Sequence, residues 1–346
     1  MSTAEAAQDV APQGAHADEL VTVVIPARNE ERAIRDCVAS IQAQTHRNLQ
    51  IIVVDGDSED GTAGVVKEIV DADPRVELVV NPQRVIPVSL NMAVQAARAR
   101  WLVRVDAHAT VPPDYVARAL SHLVTGRWGG VGGRKDGVGR TAAGRAVAAA
   151  MASRFGVGGS TYHHGTTQRT VEHIPFGAYP LDVIRQLGGW DERLRVNQDF
   201  EFDYRVREAG HELLFDPQLR IDWESRQSVP ALFSQYRRYG HGKVRVARLH
   251  PASLRVRHLA APALVATAAT AAVVAVRRPG RAAAMMAPYV VALGLASART
   301  ARTLDREAKP WVAPAFLAMH VGWGLGFWKG VAEAAQERLR GPGRMH

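Results

Sequence analysis

The sequence predicts an α/β protein in which a mostly parallel β-sheet is followed by a helical, apolar C-terminal region. Short β-rich runs alternate with helical patterns in the first third of the chain, and three long uncharged stretches follow residue 258. With 346 residues, 47% of them hydrophobic, the chain has ample material for a core and is too apolar to be disordered. Its length exceeds that of one ordinary domain, so we expect a large domain and a smaller one.

Four strands are expected from runs that are apolar almost without interruption, as in a sheet covered on both faces: 21–26, 51–55, 76–80 and 101–106. Between them, apolar residues recur at helical spacing from Ile34 to Ile41, and 61–70 and 86–99 have helical patterns too. Repeated β-α-β units give parallel strands, and ligands bind beyond the carboxyl ends of such strands. We therefore expect functional residues in the loops that follow these strands.

Polar clusters follow three of the predicted strands, in residues 26–30, 55–62 and 106–108. Each cluster taken singly is a weak signal, because Ser58 or Asp60 would serve equally well as a helix cap. Their coincidence at three strand ends is a stronger signal. The sequence thus predicts one polar site at the carboxyl edge of the sheet.

Positive charge is concentrated toward the C-terminus. Lys and Arg number 43 against 34 Asp and Glu, which gives a net charge of +9, and no acidic residue lies between Glu224 and Asp305. The basic residues of that stretch are Arg226, Arg237, Arg238, Lys243, Arg245, Arg248, Arg255, Arg257, Arg277, Arg278, Arg281, Arg299 and Arg302. Such a stretch faces phosphate, on a nucleic acid or at a membrane surface. We expect a membrane and no nucleic acid, because apolar segments flank the arginines and the aromatic residues of a base-stacking surface are lacking.

Three uncharged stretches, 259–276, 282–298 and 311–328, are membrane-helix candidates at the short end of what spans a hydrocarbon layer ~30 Å thick. Trp residues near the edges of the third favour interfacial anchoring, whereas the high alanine content leaves a soluble helical bundle as the alternative. The expected location is the cell membrane, multi-pass, with the preceding domain cytoplasmic. Arginines between the first two stretches oppose the usual positive-inside bias, so a re-entrant or flat-lying segment stays open.

Composition also predicts the state of the N-terminal segment and of the single cysteine. The N-terminal segment is polar and has no apolar core of a signal peptide, so we expect it to be disordered. Cys37 is the single cysteine, and its position on the apolar face of a predicted helix indicates a buried thiol in a reducing compartment. The expected segments are a disordered tail, an α/β domain, a basic interface segment, membrane helices and a basic tail, at 1–18, 19–225, 226–258, 259–328 and 329–346.

Several motifs, in a fixed order, carry a resemblance to a known family. They are VIPARNE at 24–30, VVDGDS at 53–58 with GT at 61–62, VRVDAHA at 103–109, the segment 171–179, GGWDE at 188–192 and NQD at 197–199. Together they resemble the family 2 glycosyltransferases over about residues 20–250. Within that family the chain is most similar to membrane-associated exopolysaccharide transferases of the succinoglycan-biosynthesis type. The resemblance implies a GT-A catalytic domain.

The resemblance also implies a nucleotide-sugar donor held at the strand ends. Asp55 would hydrogen-bond the base, Pro26 and Glu30 would shape the base and ribose pocket, and Arg84 would approach the base or the phosphates. A buried carboxylate that faces an imide N–H discriminates between bases, so a UDP-sugar is favoured. For Arg84, an ordinary solvated position is the equal alternative.

Asp106 matches the first carboxylate of the family's D-x-D metal motif, but His108 occupies the second position. The resemblance implies that these residues help to hold Mg²⁺ or Mn²⁺ against the diphosphate, where the cation neutralises charge on the departing nucleotide. Imidazole can bind Mn²⁺ and suits Mg²⁺ poorly. A structural role is therefore the alternative for His108, and the identity of the metal stays open.

Asp199 aligns with the catalytic base of the family, near the start of a helix expected from Asn197 to about Glu208. It would take the proton of an acceptor hydroxyl as that oxygen attacks C1 of the sugar, and a single displacement inverts the anomeric centre. The alternative is that Asn197 or Asp199 only caps the helix. Asp203, one turn further on, is expected as a helper or as a surface charge.

The segment QYRRY at 235–239 resembles the Q-x-x-R-W element of related processive enzymes, with Tyr239 in place of Trp. Gln235 and Arg238 lie three residues apart on one helix face, where they would meet the acceptor and the diphosphate. The arginine would equally well hold a lipid phosphate. The change from Trp indicates the addition of one sugar instead of chain extrusion.

These expectations favour an inverting, metal-dependent hexosyltransferase that moves a sugar from a nucleotide sugar to a lipid-linked saccharide in exopolysaccharide or cell-envelope glycan synthesis. A polyprenyl-phosphate sugar synthase, whose acceptor is the lipid phosphate itself, is the nearest alternative. A nucleotide-binding membrane scaffold without catalysis is another, suggested by His108 alone.

Overall fold

The computed structural model describes residues 16–340, which form two units. The first comprises the chain up to Lys135 together with Gly165–Trp223, and the second comprises Asp136–His164 together with the chain from Glu224 onward. Each unit is described by itself below.

The two predicted tails lie partly outside the described residues. Of the expected disordered segment 1–18, the structure describes only the last three residues. Of the expected basic tail 329–346, the structure describes the part up to Arg340, and that part is helical. The part up to Arg340 is therefore the end of a long helix.

The first unit opens with alternating strands and helices close to the predicted bounds. They are β1 (Val21–Ala27), α1 (Ile34–Gln42), β2 (Leu49–Asp55), α2 (Thr62–Ala72), β3 (Val76–Val80), α3 (Ile86–Ala96) and β4 (Trp101–Arg104). Strand β1 is paired in parallel with β2 on one side and β4 on the other, and β2 is paired in parallel with β3. Cys37 on α1 is buried, as predicted, and burial raises the pKa of its thiol far above the ordinary value.

The rest of this unit is built from shorter elements. They are β5 (Ala109–Thr110), α4 (Tyr115–Leu123), β6 (Trp128–Val138), β7 (Arg169–Val171), β8 (Ala178–Pro180), α7 (Leu181–Gln186), α8 (Gln198–Glu208) and β9 (Glu212–Glu224), with the last residues of β6 and β9 in the second unit. The strand order is β3-β2-β1-β4-β8-β6-β9-β5, and β7 is paired with β9.

The sheet is mixed, which corrects the expectation of a mostly parallel one. Strand β8 is antiparallel to β4 and β6, and β9 is antiparallel to β5 and β7. Only the first four strands carry the β-α-β pattern that forces parallel pairing. Strand β6 is rich in glycine and therefore lacks the apolar side chains by which a strand is recognised in a sequence. The glycines are required by close packing, because a Cβ atom at Gly133 would lie 1.7 Å from the carbonyl oxygen of Leu219.

Helix α8 is anchored to the sheet by an aromatic cluster. The rings of Trp190 and Phe202 are stacked at 4.6 Å, and Tyr179 meets Phe202 edge-on at 5.2 Å. All three side chains are buried within one core cluster. Such aromatic pairs add about 0.5–1.5 kcal/mol each beyond the area they bury, so the start of α8 has a fixed position on this unit.

The second unit is helical apart from the ends of the two shared strands. Its main helices are α5 (Ala142–Met151), α6 (Arg154–Val157), α9 (Val229–Leu249), α10 (Ala260–Ala275), α11 (Pro279–Ala301) and α12 (Val312–Arg340). The predicted basic interface segment 226–258 corresponds to α9 and the short helical turns that follow it.

Helices α9 and α12 pack together along glycines. A Cβ atom at Gly326 would lie 1.9 Å from the carbonyl oxygen of Arg237, and one at Gly240 would lie 2.1 Å from that of Trp323. Ion pairs extend the contact, such as the one between Arg248 and Glu337 at 2.5 Å. The small residues let the two backbones approach closely, as in helix pairs of the small-xxx-small type.

Two helices are long and apolar enough to cross a membrane, at Val256–Ala275 and Pro279–Ala301. Both are largely exposed in the structure, and Val276 between them is 83% exposed. The third predicted segment, 311–328, falls within α12 from Val312 onward and does not meet that standard among the described residues. Its glycines Gly322 and Gly326 lie against the backbone of α9. Phe316 and Met319 are fully buried beside Phe155 and Gly156 of α6. Membrane spanning thus has weak support at two helices.

Candidate active site

The loops that follow the parallel strands lie side by side, as the sequence predicted. Ala27 at the end of β1 is opposite Asp55 at the end of β2, and the Gly56 amide donates a hydrogen bond to the Ala27 carbonyl at 2.7 Å. The amide of Asn81, after β3, donates to the Asp55 carbonyl at 2.7 Å. These bonds join the ends of three neighbouring strands into one edge.

Strained backbone is concentrated at this edge. In the part of the chain that the structure describes, the non-glycine residues with positive φ are Asn29, Asp57, Arg84, Phe176 and Asn197, with φ between 52° and 60°. Asn and Asp tolerate this conformation through local hydrogen bonds, but Arg and Phe have no such compensation. Four of the five lie in loops that carry predicted site motifs. Strain of this kind costs of order 1–3 kcal/mol per residue and persists mainly where a site over-determines the backbone.

Asp55 is buried, with 2% of its surface exposed, and its carboxylate is fixed by the loop that follows. Oδ1 accepts a hydrogen bond from the Ser58 hydroxyl at 2.5 Å, and Oδ2 accepts one from the Ser58 amide at 3.1 Å. The Ser58 hydroxyl in turn accepts from the Asn29 amide at 2.9 Å. Pro26 is buried in β1 opposite Val54. The predicted base-recognition residues therefore have a rigid local setting.

Arg84 is held by acidic side chains of the loop after β2. Its guanidinium lies 2.6 Å from Asp57 and 3.0 Å from Glu59, while 43% of the side chain is exposed. The hydrogen bond and charge of Asp57 raise the pKa of Arg84. Arg84 thus contacts the predicted donor loop instead of standing alone in solvent, although it is still accessible to a ligand.

Arg104 connects the two carboxylates that the sequence singled out separately. This residue is the last of β4, and its side chain is only 4% exposed. Nε donates to Asp106 Oδ1 at 3.0 Å, and Nη1 donates to Asp199 Oδ1. Burial opposes the positive charge, but Asp106 and Asp199 outweigh it and raise the pKa of the guanidinium. Asp106 and Asp199 therefore belong to one site in the first unit.

The sequence prediction missed Arg104, although a signal for it exists. Arg104 and Asp106 are two residues apart in an otherwise apolar run, so an extended backbone places both side chains on one face. A charged residue in a strand buried on both sides needs a partner of opposite charge. That argument points to a pair with Asp106, but Asp199 lies 95 residues away in the sequence and only the fold supplies it.

Asp199 lies in the first turn of α8. Asn197, the residue before the helix, has a left-handed backbone and makes no side-chain capping hydrogen bond. The Asp199 carboxylate turns to Arg104, and its side chain is 21% exposed. The exposed fraction leaves the carboxylate within reach of a bound acceptor hydroxyl, while Arg104 fixes its direction.

Asp203, expected as a helper or a surface charge, is not on the surface. It is fully buried, and its carboxylate accepts hydrogen bonds from His173 Nδ1 at 2.6 Å, the Ile174 amide at 2.8 Å and the Tyr179 hydroxyl at 2.7 Å. Burial raises the pKa of this carboxyl, while its hydrogen-bond partners oppose that rise. Asp203 thus fixes the segment 173–179, which includes the strained residue Phe176.

His108 has both ring nitrogens engaged. The indole N–H of Trp223 donates to Nε2 at 2.7 Å, and an indole can only donate, so Nε2 accepts. Nδ1 then carries the proton and donates to Glu30 at 2.9 Å. Lys135 lies above the Trp223 ring at 3.6 Å from its centre. His108 therefore links the predicted ribose-side residue Glu30 to β9.

The donor set fits a divalent cation only in part. Among residues 16–340 no group of three or more His, Cys, Asp or Glu side chains is arranged to hold a metal ion. Asp106 has one oxygen on Arg104, which leaves Oδ2 for a cation, and His108 would have to exchange its bond with Trp223 for a metal bond. The protein ligands are therefore too few alone, and a cation that arrives with diphosphate oxygens fits best.

Gln235 and Arg238 lie on α9 in the second unit. Gln235 is buried and donates to the Tyr239 hydroxyl at 3.0 Å, while its Oε1 is buried without a hydrogen-bond partner. Arg238 is exposed and donates to Ser234 at 3.2 Å. An orphaned buried acceptor normally has an explanation, and a bound hydroxyl would supply one.

Comparison with known proteins identifies the family of the chain. The family model described as "Glycosyl transferase family 2" matches residues 22–177. The chain is 30% identical over 324 residues to the succinoglycan biosynthesis protein ExoA of Rhizobium meliloti (strain 1021), with 90% of this chain and 96% of that protein covered. The chain belongs to glycosyltransferase family 2.

Two further similarities are more distant. A dolichyl N-acetyl-α-D-glucosaminyl phosphate 3-β-D-2,3-diacetamido-2,3-dideoxy-β-D-glucuronosyltransferase of Methanococcus voltae is 23% identical over 64% of this chain and 72% of its own length. The mannosyltransferase PcManGT of Pyrobaculum calidifontis, solved with GDP-Man and Mn²⁺, superimposes with a TM-score of 0.65 at 21% identity, over 90% of this chain and 87% of that one. At this identity the likeness shows the fold, which is of the GT-A type.

Proposed function

We propose that this protein is an inverting glycosyltransferase that moves a sugar from a nucleotide sugar to a lipid-linked saccharide during exopolysaccharide or cell-envelope glycan synthesis. The observation that carries the proposal is the shared salt bridge of Asp106 and Asp199 to Arg104. It brings a donor-side carboxylate and a candidate base, taken from separate motifs, into one site of a family 2 glycosyltransferase.

The donor side is assigned to the loops after β1, β2 and β4. Asp55 would accept a hydrogen bond from the imide N–H of uracil, and Pro26 and Glu30 would border the base and ribose. Each Asp55 oxygen already accepts a bond from Ser58 and has a further lone pair for the imide N–H. A base that offers no donor there forfeits a hydrogen bond to a charged group, about 1.5–3 kcal/mol, so a UDP-sugar is favoured. Arg84, held at this loop by Asp57, is assigned to the base or phosphates.

A divalent cation is assigned to Asp106, with His108 as a second ligand. When bound, Mg²⁺ or Mn²⁺ would stabilise the negative charge that develops on the diphosphate. The imidazole of His108 favours Mn²⁺ over Mg²⁺. The cation would act on the donor diphosphate only. Side chains of the protein place the acceptor and receive its proton.

Asp199 is assigned the role of base. As the acceptor hydroxyl oxygen forms a bond to C1, the bond between C1 and the phosphate oxygen breaks, and the hydroxyl proton passes to the Asp199 carboxylate. The nucleoside diphosphate leaves with the electron pair of the broken bond. Because attack and departure occur on opposite faces of C1 in one step, the configuration inverts.

A lipid-linked acceptor and a membrane location are supported by the second unit. Helices α10 and α11 expose apolar side chains such as Val273 and Leu295 and carry arginines at both ends. The name of the Methanococcus relative places a dolichyl-phosphate-linked sugar in its reaction. Gln235 and Arg238 are assigned to the acceptor and the diphosphate or a lipid phosphate. A polyprenyl-phosphate sugar synthase is the alternative if lipid phosphate alone accepts the sugar.

A panel of nucleotide sugars tests the proposal. Full-length protein purified in mild detergent is supplied with UDP- and GDP-sugars, Mn²⁺ or Mg²⁺, and either lipid-linked saccharide or undecaprenyl phosphate, and the released nucleoside diphosphate is measured. We expect acceptor-dependent release from a UDP-sugar. The Asp199→Asn variant should lose it, while Asp114→Asn, a change at the start of α4 away from the site, should keep it. Absence of release from every donor would overturn the proposal.

A further inference from the structure

Arg104 lies in the candidate site, but none of the donor, metal or acceptor roles assigned above belongs to it. It is buried at the end of β4, and its planar guanidinium bonds a carboxylate on each side: Asp106 after its own strand and Asp199 on α8. Lysine would offer a single point charge there, whereas the guanidinium fork bonds two groups at fixed angles.

The setting of Arg104 is itself fixed. Its backbone amide donates to the Gly177 carbonyl at 3.2 Å, and its guanidinium lies 5.5 Å from the centre of the Phe176 ring. Phe176 has a left-handed backbone and lies in the segment that Asp203 anchors through Ile174. The arginine is therefore held from its own strand, from the adjacent loop and through both carboxylates.

We propose that Arg104 is a positioning residue that holds the base Asp199 in register with Asp106, so that the acceptor side of the site is aligned with the donor side. The inference rests on the proposed function. Without the guanidinium, two carboxylates of like charge would share a partly buried space and repel each other. Asp199 would then lose the position from which it receives the acceptor proton, while the loops around the nucleotide would keep their own hydrogen bonds.

A double-mutant cycle tests this role. Turnover is measured for the full-length protein, Arg104→Gln, Asp199→Asn and the double variant, with labelled donor and acceptor under single-turnover conditions. We expect Arg104→Gln to lower kcat by roughly 10²-fold, within the range for a displaced general base. In the Asp199→Asn background the same change should cost less than about 3-fold, because residues that act as a unit are not additive. Equal costs in both backgrounds would overturn the proposal.

Nucleotide binding without metal supplies a second readout. Titration of UDP and of GDP in the absence of Mn²⁺ should give affinities in Arg104→Gln within about 3-fold of the parent, because Ser58, and not Arg104, holds the Asp55 carboxylate. A loss of more than about 10-fold in nucleotide affinity measured without metal would show that Arg104 merely shapes the site and would overturn the proposal.

Arg205 on α8 provides the matched control. Its guanidinium bonds Glu201 and the carbonyls of Leu187 and Gly189, but neither site carboxylate. Arg205→Gln should lower thermal stability, but its effect on turnover should be the same with and without Asp199→Asn. If both arginine changes are coupled to Asp199→Asn in turnover, Arg104 has no specific role. If Arg104→Gln does not fold, Arg104→Lys replaces it in the same cycle. A parent protein that turns over no donor overturns the proposed function, whereas a working parent with an additive cycle overturns this inference alone.

Discussion

At the scale of single residues, the site is organised by side chains that hold other side chains. Ser58 fixes Asp55, Trp223 and Glu30 fix the His108 ring, and Arg104 joins Asp106 to Asp199. Each of these bonds removes rotamer freedom before any ligand arrives, which lowers the entropic cost of binding. The nucleotide should therefore meet a site that is largely formed.

Replacement of Asp55 tests the assignment of the base. Asp55→Asn keeps the size of the side chain but turns one acceptor into a donor, so we expect the preference for UDP over GDP to fall by about 10-fold. Calorimetric titration of both nucleotides measures it. Asp57→Asn is the matched control, since this neighbouring carboxylate is bonded to Arg84, and it should leave the preference unchanged. An Asp55→Asn protein that keeps the parent preference would remove Asp55 from base recognition.

The parts of the site that the sequence predicted are those that follow strands with a clear pattern. Pro26, Asp55 and Asp106 lie at or just beyond the ends of continuous apolar runs. Such a run predicts a buried parallel strand, and its last residue gives the position of the strand's carboxyl end. Arg104 was missed as a link because its second partner is distant in the chain. Asp203 was misjudged because helical spacing puts it one turn from Asp199 but does not say that Tyr179 covers it.

At the scale of elements, glycines decide where helices and strands approach. Gly133 lets β6 lie against Leu219, and Gly326 lets α12 lie against α9. The sequence shows these glycines but not their neighbours, so the antiparallel half of the sheet and the α9–α12 packing could not be predicted. The loss of strand signal in β6 has the same origin, because close backbone approach leaves no room for β-branched residues.

Gly326→Ala should separate α9 from α12. The added methyl group would lie 1.9 Å from a backbone oxygen, so the helices must move, and we expect the free energy of unfolding to fall by at least about 2 kcal/mol. Gly294→Ala in α11 is the control, because its Cβ meets nothing within 4 Å and alanine favours a helix by about 0.5–1 kcal/mol. Thermal unfolding of both variants in one detergent gives the comparison. A Gly326→Ala protein as stable as its parent would contradict the close packing.

At the scale of the whole molecule, charge and apolar surface divide the chain. The first unit carries the candidate site, and the second carries the arginine-rich stretch and the two exposed apolar helices. From composition the sequence predicted three membrane helices after residue 258, and the described residues hold two candidate spans, neither of them at 311–328. An uncharged stretch shows only that a segment is apolar. Whether lipid or a neighbouring helix covers it depends on the fold.

The exposed faces of α10 and α11 should hold the protein to membranes. Val273→Lys with Val291→Lys places one charge on the exposed face of each helix, and a charge at the centre of a bilayer costs about 2.5–3.5 kcal/mol. We expect this variant to leave the carbonate-washed membrane pellet for the soluble fraction. Val80→Lys, an equal change at an exposed position of β3, should not move the protein. Retention of the double variant in the pellet would remove these helices from the anchoring role.

The central claim is that Asp106 serves the donor and Asp199 serves the acceptor within one site. The most direct test compares Asp106→Asn with Asp199→Asn for nucleotide affinity in the presence of Mn²⁺ and for kcat with donor and acceptor. We expect both variants to lose turnover, by roughly 10²- to 10⁴-fold for Asp199→Asn, and only Asp106→Asn to lose metal-dependent nucleotide binding. Near-normal turnover in Asp199→Asn, or equal loss of nucleotide binding in both variants, would contradict the claim.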